Sequence, residues 1–191
     1  MVLAGHSRGG KAAFGLALGL TPCPTEFAAI IGIDPVDGMD KQTKPEILSY
    51  QPHHFNLGFP TLVIGSGLGS VPRAPFFPPC VSPNMGHVDF FRESSAPAFH
   101  FVPEEYGHLD FLDDNTVDVV GRLGSFFCSH GASRAPMRRF TSGLIVAFLD
   151  KYLKGKEEAF AKLFDSPQEA LVKLATPEES EERREEKRVF Q

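Results

Sequence analysis

The 191-residue sequence contains no tryptophan and only three tyrosines, and it has no long hydrophobic run. The longest nearly apolar segment, Phe27 to Ile33, is far shorter than the roughly 20 residues that a membrane-spanning helix needs. Positive charge is also scarce. The 19 Lys and Arg residues are outnumbered by 24 Asp and Glu, and the formal net charge of −5 disfavours binding to nucleic acid or to an anionic membrane surface. No charged leader followed by an apolar stretch occurs at Met1, so we expect no export signal.

Cysteine is sparse as well, with Cys23, Cys80 and Cys128 far apart in the chain. An odd number of widely spaced cysteines fits neither a disulfide framework nor the paired ligand spacing of a zinc site. The sequence therefore predicts three free thiols.

Short apolar segments bounded by turn residues predict buried strands. They are residues 27–33, 60–66 and 98–102, with a shorter apolar piece at 2–4. Because segments of helical character separate them, we predict an α/β fold with a mostly parallel sheet flanked by helices. Apolar residues at helical spacing between Arg138 and Leu153 predict a packing helix that ends near Gly155.

The chain is predicted to divide near residue 155. Residues 1–155 form a partial catalytic domain, and residues 156–191 form a helical segment followed by a charged, disordered tail. Within the domain, the segment 67–95 holds five of the 16 prolines and two of the Phe-Phe pairs. It is too long for a simple connector, which favours a lid or a wall of a site.

The segment Gly5-His6-Ser7-Arg8-Gly9 matches the G-x-S-x-G pattern of a nucleophile elbow. A serine at the apex of a sharp strand-to-helix turn needs small residues two positions away on either side, because the strained backbone leaves no room for Cβ atoms there. The turn presents the Ser7 hydroxyl at a helix N-terminus, where the backbone N–H of Arg8 can stabilise an oxyanion. The alternative is an ordinary glycine-rich turn with a bystander serine.

A nucleophilic serine requires a general base and a carboxylate that orients this base, in the chain order Ser, acid, His in α/β hydrolases. His108 follows the last predicted strand and is the candidate base, with His87 as its competitor. Asp34 ends a buried strand and is followed by a proline that restricts its backbone, which suits an orienting carboxylate. Asp37 and Asp89 remain alternative acids.

Acidic residues close to the candidate base also suggest a metal site, formed by His108, Asp110, Asp113 and Asp114. No second histidine lies at ligand spacing, and the run continues into Thr116, so helix capping explains these carboxylates better. We predict neither a metal nor a cofactor.

Five segments carry a family resemblance. They are Gly-His-Ser-Arg-Gly-Gly-Lys at 5–11, Gly-Ile-Asp-Pro-Val at 32–36, Pro-Pro-Cys at 78–80, the loop 84–91, and Tyr-Gly-His-Leu-Asp at 106–110. Together they resemble the plant chlorophyllase family. The resemblance implies the C-terminal portion of an α/β-hydrolase fold and a cofactor-free serine esterase that removes phytol from chlorophyll to give chlorophyllide. It maps the nucleophile onto Ser7, the acid onto Asp34 and the base onto His108.

The same resemblance implies chlorophyll as the partner molecule, reached at a membrane surface, and a chloroplast location. The aromatic pairs of the long loop can then wall a site for the flat macrocycle or its tail, with ordinary packing as the alternative. They are Phe76 and Phe77, and Phe90 and Phe91.

Only Met1 to Ala4 precede the elbow, whereas α/β hydrolases place several strands and a second oxyanion donor before it. We therefore expect a sheet that lacks its first half, with an uncovered edge. Three hypotheses remain: an active chlorophyllase, an inactive truncated remnant that at most binds pigment or a partner, and a related carboxylesterase acting on smaller esters.

Overall fold

The computed structural model describes residues 1–39, 43–113 and 127–180 of the chain. The described sheet has five strands in sequence order, of which the first four are parallel and the fifth is antiparallel to its neighbour. They are β1 (Val2–His6), β2 (Ala29–Ile33), β3 (Thr61–Ile64), β4 (Ala98–Phe101) and β5 (Glu178–Glu179). The predicted α/β fold with a mostly parallel sheet is thus confirmed.

Helices cover both faces of the sheet, which explains why the central strands are almost continuously apolar. The helices are α1 (Arg8–Ala17), α2 (His87–Glu93), α3 (Arg134–Lys154) and α4 (Glu158–Asp165), followed by a 3₁₀ turn at Pro167–Glu169. On one face Phe14 of α1 and Phe90 of α2 pack with Ile30 and Val63. None of the described helices is long and apolar enough to cross a membrane.

The opposite face is covered by α3 and α4. Leu144 and Phe148 of α3 and Phe160 of α4 pack on Phe99 and Phe101 of β4. The helix predicted between Arg138 and Leu153 is confirmed, and it ends as expected, because Gly155 takes a left-handed φ of 66° and donates its N–H to Lys151 O at 3.2 Å.

The chain after residue 155 contributes to this packing. Phe160 is 1% exposed, and β5 extends the sheet by pairing His100 with Glu178. The charged residues 181–191 lie outside the described part of the chain, and the division near residue 155 stays a prediction. The end of the predicted loop 67–95 is helical, since α2 lies within it.

Two of the three cysteines form a disulfide, so the prediction of three free thiols is wrong for Cys80 and Cys128 and right for the exposed Cys23. Cys80 and Cys128 are 48 residues apart in the sequence, and this spacing does not indicate that the fold brings their Cα atoms within 5.5 Å of each other. The long loop and the segment before α3 run side by side here, and the Ser129 hydroxyl donates to Val71 O at 2.8 Å.

Candidate active site

Ser7 lies at the junction of β1 and α1, where the chain turns sharply. Its φ of 57° is in the left-handed region, which is strained for a non-glycine residue. The backbone holds it there through the Ser7 N–H, which donates to Ile33 O at 3.0 Å, and through the Ser7 carbonyl, which accepts from Gly10 and Val36 at 3.0 and 3.2 Å. This is the geometry expected of a nucleophile elbow.

The glycines around Ser7 are not equally constrained. A Cβ on Gly5 would overlap the carbonyl of Gly9, and one on Gly10 would lie 2.8 Å from Pro35 Cβ. A Cβ on Gly9 would meet nothing within 4 Å. The predicted steric requirement therefore holds at Gly5, whereas on the helix side it falls on Gly10 rather than on Gly9.

His108 connects Ser7 to Asp34. Its Nε2 lies 2.8 Å from Ser7 Oγ and its Nδ1 lies 2.7 Å from Asp34 Oδ2. Because a carboxylate only accepts hydrogen bonds, Nδ1 carries the hydrogen, and in the neutral ring Nε2 is free to accept from the serine hydroxyl. The three candidates chosen from sequence thus meet in one line, with His108 and Asp34 6% and 0% exposed.

Asp34 is held from several sides at the carboxyl end of β2. The Ser66 N–H donates to Asp34 Oδ1 at 3.2 Å, and the Ser66 hydroxyl donates to Oδ2. Burial alone raises the pKa of the Asp34 carboxyl, but the hydrogen bond from His108 and the charges of His87 and His108 outweigh it, so the pKa lies below its usual value. Asp34 is therefore an anion at neutral pH.

The competing acids have other partners. Asp37 forms a buried ion pair with Lys11 at 3.0 Å and accepts from Ile47 N at 3.2 Å, so it anchors the following loop. Asp89 accepts from Gly86 N at 3.3 Å at the start of α2. These contacts explain both carboxylates as local supports of backbone.

The competing base, His87, lies behind Asp34 rather than beside Ser7. Its Nε2 is 4.0 Å from Asp34 Oδ1, and its Nδ1 lies 2.8 Å from Nε2 of His100, whose Nδ1 is 2.7 Å from Glu178 Oε2. Burial lowers the pKa of His87 to about 4 against the opposing charge of Asp34, so the ring is neutral at pH 7.

Asp110 braces the turn that carries the candidate base. The fully buried carboxylate accepts from Gly107 N at 2.8 Å and from Gly131 N at 2.7 Å, and Arg134 Nε lies 3.4 Å from its other oxygen. Gly107 packs so closely on Ser129 that a Cβ would overlap the Ser129 carbonyl. The segment after Cys128 therefore supports the turn that holds His108.

The sequence also suggested a metal site formed by His108, Asp110, Asp113 and Asp114. Asp110 instead forms the hydrogen bonds of the turn, and Asp113 lies 3.7 Å from Arg138 Nε. Asp114 falls outside the described residues. Among the residues that the structure describes, no group of three or more His, Cys, Asp or Glu side chains is arranged to hold a metal ion.

The candidate oxyanion donor is placed next to the nucleophile. Arg8 is the first residue of α1, and the first N–H groups of a helix have no partner within the helix. Arg8 directly follows Ser7 in the chain, so its N–H lies beside the nucleophile at the positive end of the helix dipole.

The two phenylalanine pairs have different environments. Phe76 is fully exposed and Phe77 is 40% exposed and contacts Phe127, with ring centroids 5.6 Å apart. Phe90 is fully buried against Phe14, and Phe91 is 8% exposed. Ordinary core packing, the alternative left open by the sequence, therefore accounts for the second pair.

The sequence analysis missed several residues of the site. Ser66, which donates twice to Asp34, follows β3 at the same sheet edge where Asp34 follows β2, so the edge rule for parallel strands could have indicated it. The contacts of His6 with His108 and of His100 with His87 join distant parts of the chain, and only the fold reveals them.

A model of the chlorophyllase family matches residues 1–181. Chlorophyllase-2 of Arabidopsis thaliana is 49% identical over 168 residues, which cover 85% of this chain and 53% of that protein. Chlorophyllase-1 of Arabidopsis thaliana and the chloroplastic Chlorophyllase-1 of Citrus unshiu are each 42% identical, covering 94% and 91% of this chain and 57% and 52% of their own lengths. The chain thus spans about half the length of these curated relatives.

Proposed function

The chain belongs to the chlorophyllase family, and from this membership we propose that it carries the catalytic serine of an esterase that cleaves the phytyl ester of chlorophyll. The observation that carries the proposal is the line from Ser7 Oγ through the His108 ring to Asp34, with both contacts at hydrogen-bond distance. Ser7 is the nucleophile, His108 the general base and Asp34 the carboxylate that orients it.

Acylation begins when His108 Nε2 takes the proton of the Ser7 hydroxyl as Oγ attacks the carbonyl carbon of the propionate ester. Asp34 stabilises the imidazolium that forms, and this is favourable because its low pKa keeps it ionised. The Arg8 N–H stabilises the oxyanion of the tetrahedral intermediate. When the intermediate collapses, His108 gives its proton to the phytol oxygen, and phytol leaves with the acyl group bound to Ser7.

Deacylation uses the same residues with water as the nucleophile. His108 takes a proton from water, the hydroxide oxygen attacks the acyl carbon, and His108 returns the proton to Ser7 Oγ as chlorophyllide leaves. The cycle consumes one water molecule and requires no redox partner.

The long loop provides apolar surface for such a substrate. Phe76 is fully exposed and Phe77 partly exposed on the segment that the disulfide ties to the His108 side of the molecule. We propose that these two rings contact the macrocycle or the phytyl chain, and that the substrate is taken from a membrane surface. The names of the Citrus relatives support a chloroplast location for this chain.

The test is conversion of chlorophyll in detergent micelles by the purified chain, with Ser7→Ala as the matched control and phase partition of the pigment as the assay. We expect chlorophyllide from the wild-type chain and none from Ser7→Ala. Turnover of a short-chain nitrophenyl ester without any chlorophyllide would favour the smaller-ester carboxylesterase instead. Failure on both esters would favour the inactive remnant.

A further inference from the structure

The residue before the nucleophile contacts the base twice. His6 Nε2 lies 2.9 Å from the backbone carbonyl of His108, and the two imidazole rings are stacked with centroids 4.8 Å apart and planes inclined by 30°. Phe111 packs against the His6 ring, and the centroids of these two rings are 5.6 Å apart. Neither contact is part of the G-x-S-x-G pattern, in which this position is free to vary.

The partner atoms fix the proton on His6. A carbonyl oxygen only accepts a hydrogen bond, so Nε2 of His6 must carry the hydrogen. Burial lowers the pKa of His6, and the charge of His108 lowers it further, against weaker opposing effects that include Asp34. His6 is therefore a neutral donor at pH 7.

The two contacts restrain different motions of the base. The hydrogen bond to the carbonyl holds the backbone of the turn, whereas the stacked ring closes one face of the imidazole and limits its rotation. His108 has to keep Nδ1 and Nε2 in line with Asp34 and Ser7 at the same time, and small misalignments of a catalytic group reduce rates strongly.

We propose that His6 is a positioning residue for His108, which holds the turn and the ring of the base in line with Ser7 and Asp34. The inference rests on the proposed roles of Ser7 and His108. The hydrogen bond of His6 connects the elbow at the end of β1 to the loop after β4, with two strands of the sheet between them. The base therefore cannot move away from the nucleophile unless this hydrogen bond breaks.

The test measures phosphonylation of Ser7 by a fluorophosphonate probe, a reaction in which Oγ attacks phosphorus, fluoride leaves and His108 takes the serine proton. It needs no chlorophyll, so it separates this inference from the substrate assignment. His6→Ala removes both contacts, His6→Phe retains the ring, and His6→Gln retains an N–H donor. His54→Phe, an exposed histidine outside the site, is the matched control.

We expect the maximal labelling rate of His6→Ala to fall about 100-fold, and that of His6→Phe and His6→Gln about tenfold each, at unchanged probe affinity. His54→Phe should label at the wild-type rate. Partial rescue by the two conservative variants, at unchanged melting temperature, supports positioning by both contacts.

Labelling of His6→Ala within twofold of the wild-type rate would overturn the inference, as would an equal loss in His54→Phe. Absence of any labelling in the wild-type chain would also overturn it, because the pair that His6 is proposed to align would then be inactive. Labelled Ser7 without chlorophyllide production would reject the chlorophyll assignment and leave the role of His6 to be decided by the variants.

Discussion

Asp34 is a charged group without solvent contact, and its environment explains why an anion is tolerated there. Ser66 and His108 supply the hydrogen bonds that water would otherwise provide, and the pKa of the carboxyl stays low despite burial. The chain order Ser, Asp, His and the position of Asp34 at a strand end were enough to select the three candidate residues that the fold brings to hydrogen-bond distance. The edge rule for parallel strands could have indicated Ser66, whereas the contacts of His6 were not predictable, because they depend on side-chain placement in the folded state.

Asp34→Asn tests the orienting role of this carboxylate. The amide presents an N–H to His108 Nδ1 and stabilises the wrong tautomer, so we expect kcat to fall about 10⁴-fold. Ser7→Ala and His108→Ala should abolish turnover. Asp89→Asn is the control, because Asp89 accepts a hydrogen bond from Gly86 N at the start of α2, and it should retain wild-type kcat. A larger loss in Asp89→Asn than in Asp34→Asn would reassign the acid.

His87 makes the stability of the fold depend on pH. Its pKa is lowered from 6.5 to about 4, so between these values the unfolded chain binds a proton that the folded chain does not. The contribution of His87 to the free energy of unfolding is therefore fully present above pH 6.5 and falls as the pH drops toward 4, by about 3 kcal/mol. Thermal unfolding of His87→Gln should show a smaller decrease in Tm between pH 7 and 4.5 than the wild type, whereas exposed His54→Gln should behave like the wild type.

At the scale of elements, the strands and the helix that were predicted from sequence are those whose own residue pattern reflects their burial. Strands β2, β3 and β4 are buried on both faces and read as apolar runs, and α3 shows helical spacing and a terminal glycine. Strand β5 consists of two glutamates and forms only because the edge of β4 offers backbone partners, with Ser180 N donating to Ala98 O at 2.9 Å. No local pattern could have predicted it.

The disulfide joins the long loop to the segment that precedes α3. It holds the loop with Phe76 to the segment at 127–131, which in turn supports the turn carrying His108 through Asp110. Closing a loop of 48 residues contributes about 4 kcal/mol in the chain-entropy model. The double variant Cys80→Ser/Cys128→Ser should unfold at a correspondingly lower urea concentration and should lose its response to dithiothreitol.

Cys23→Ser is the control for this variant, because Cys23 is a free, exposed thiol. It should unfold like the wild type, and dithiothreitol should destabilise both equally. Equal stability of the oxidised and reduced wild-type chain would show that the disulfide does not contribute to the fold.

At the scale of the whole molecule, the question is where the folding unit ends. The sequence placed a boundary near residue 155, where the helix terminates at Gly155 and charged residues follow. A run of charged residues is typical of a solvated segment, but it does not show whether a single aromatic side chain within that segment is buried. Phe160 is such a ring, and it stacks edge-to-face on Phe99 and Phe101 with centroids 5.0 and 5.8 Å away.

We therefore expect that a chain ending at residue 157 loses far more stability than a chain ending at residue 180. Removal of Phe160 alone takes away its ring contacts with Phe99 and Phe101, and a buried Phe→Ala change typically costs about 3–5 kcal/mol, a large share of the roughly 5–15 kcal/mol that stabilises a domain. Urea unfolding of the two truncated chains and of Phe160→Ala measures this, with Phe76→Ala as the control because Phe76 is fully exposed. If the chain ending at residue 157 unfolds at the wild-type urea concentration, the catalytic domain does end near residue 155. If it is destabilised as expected while the chain ending at residue 180 is not, residues 158–180 belong to the same cooperative unit as the site.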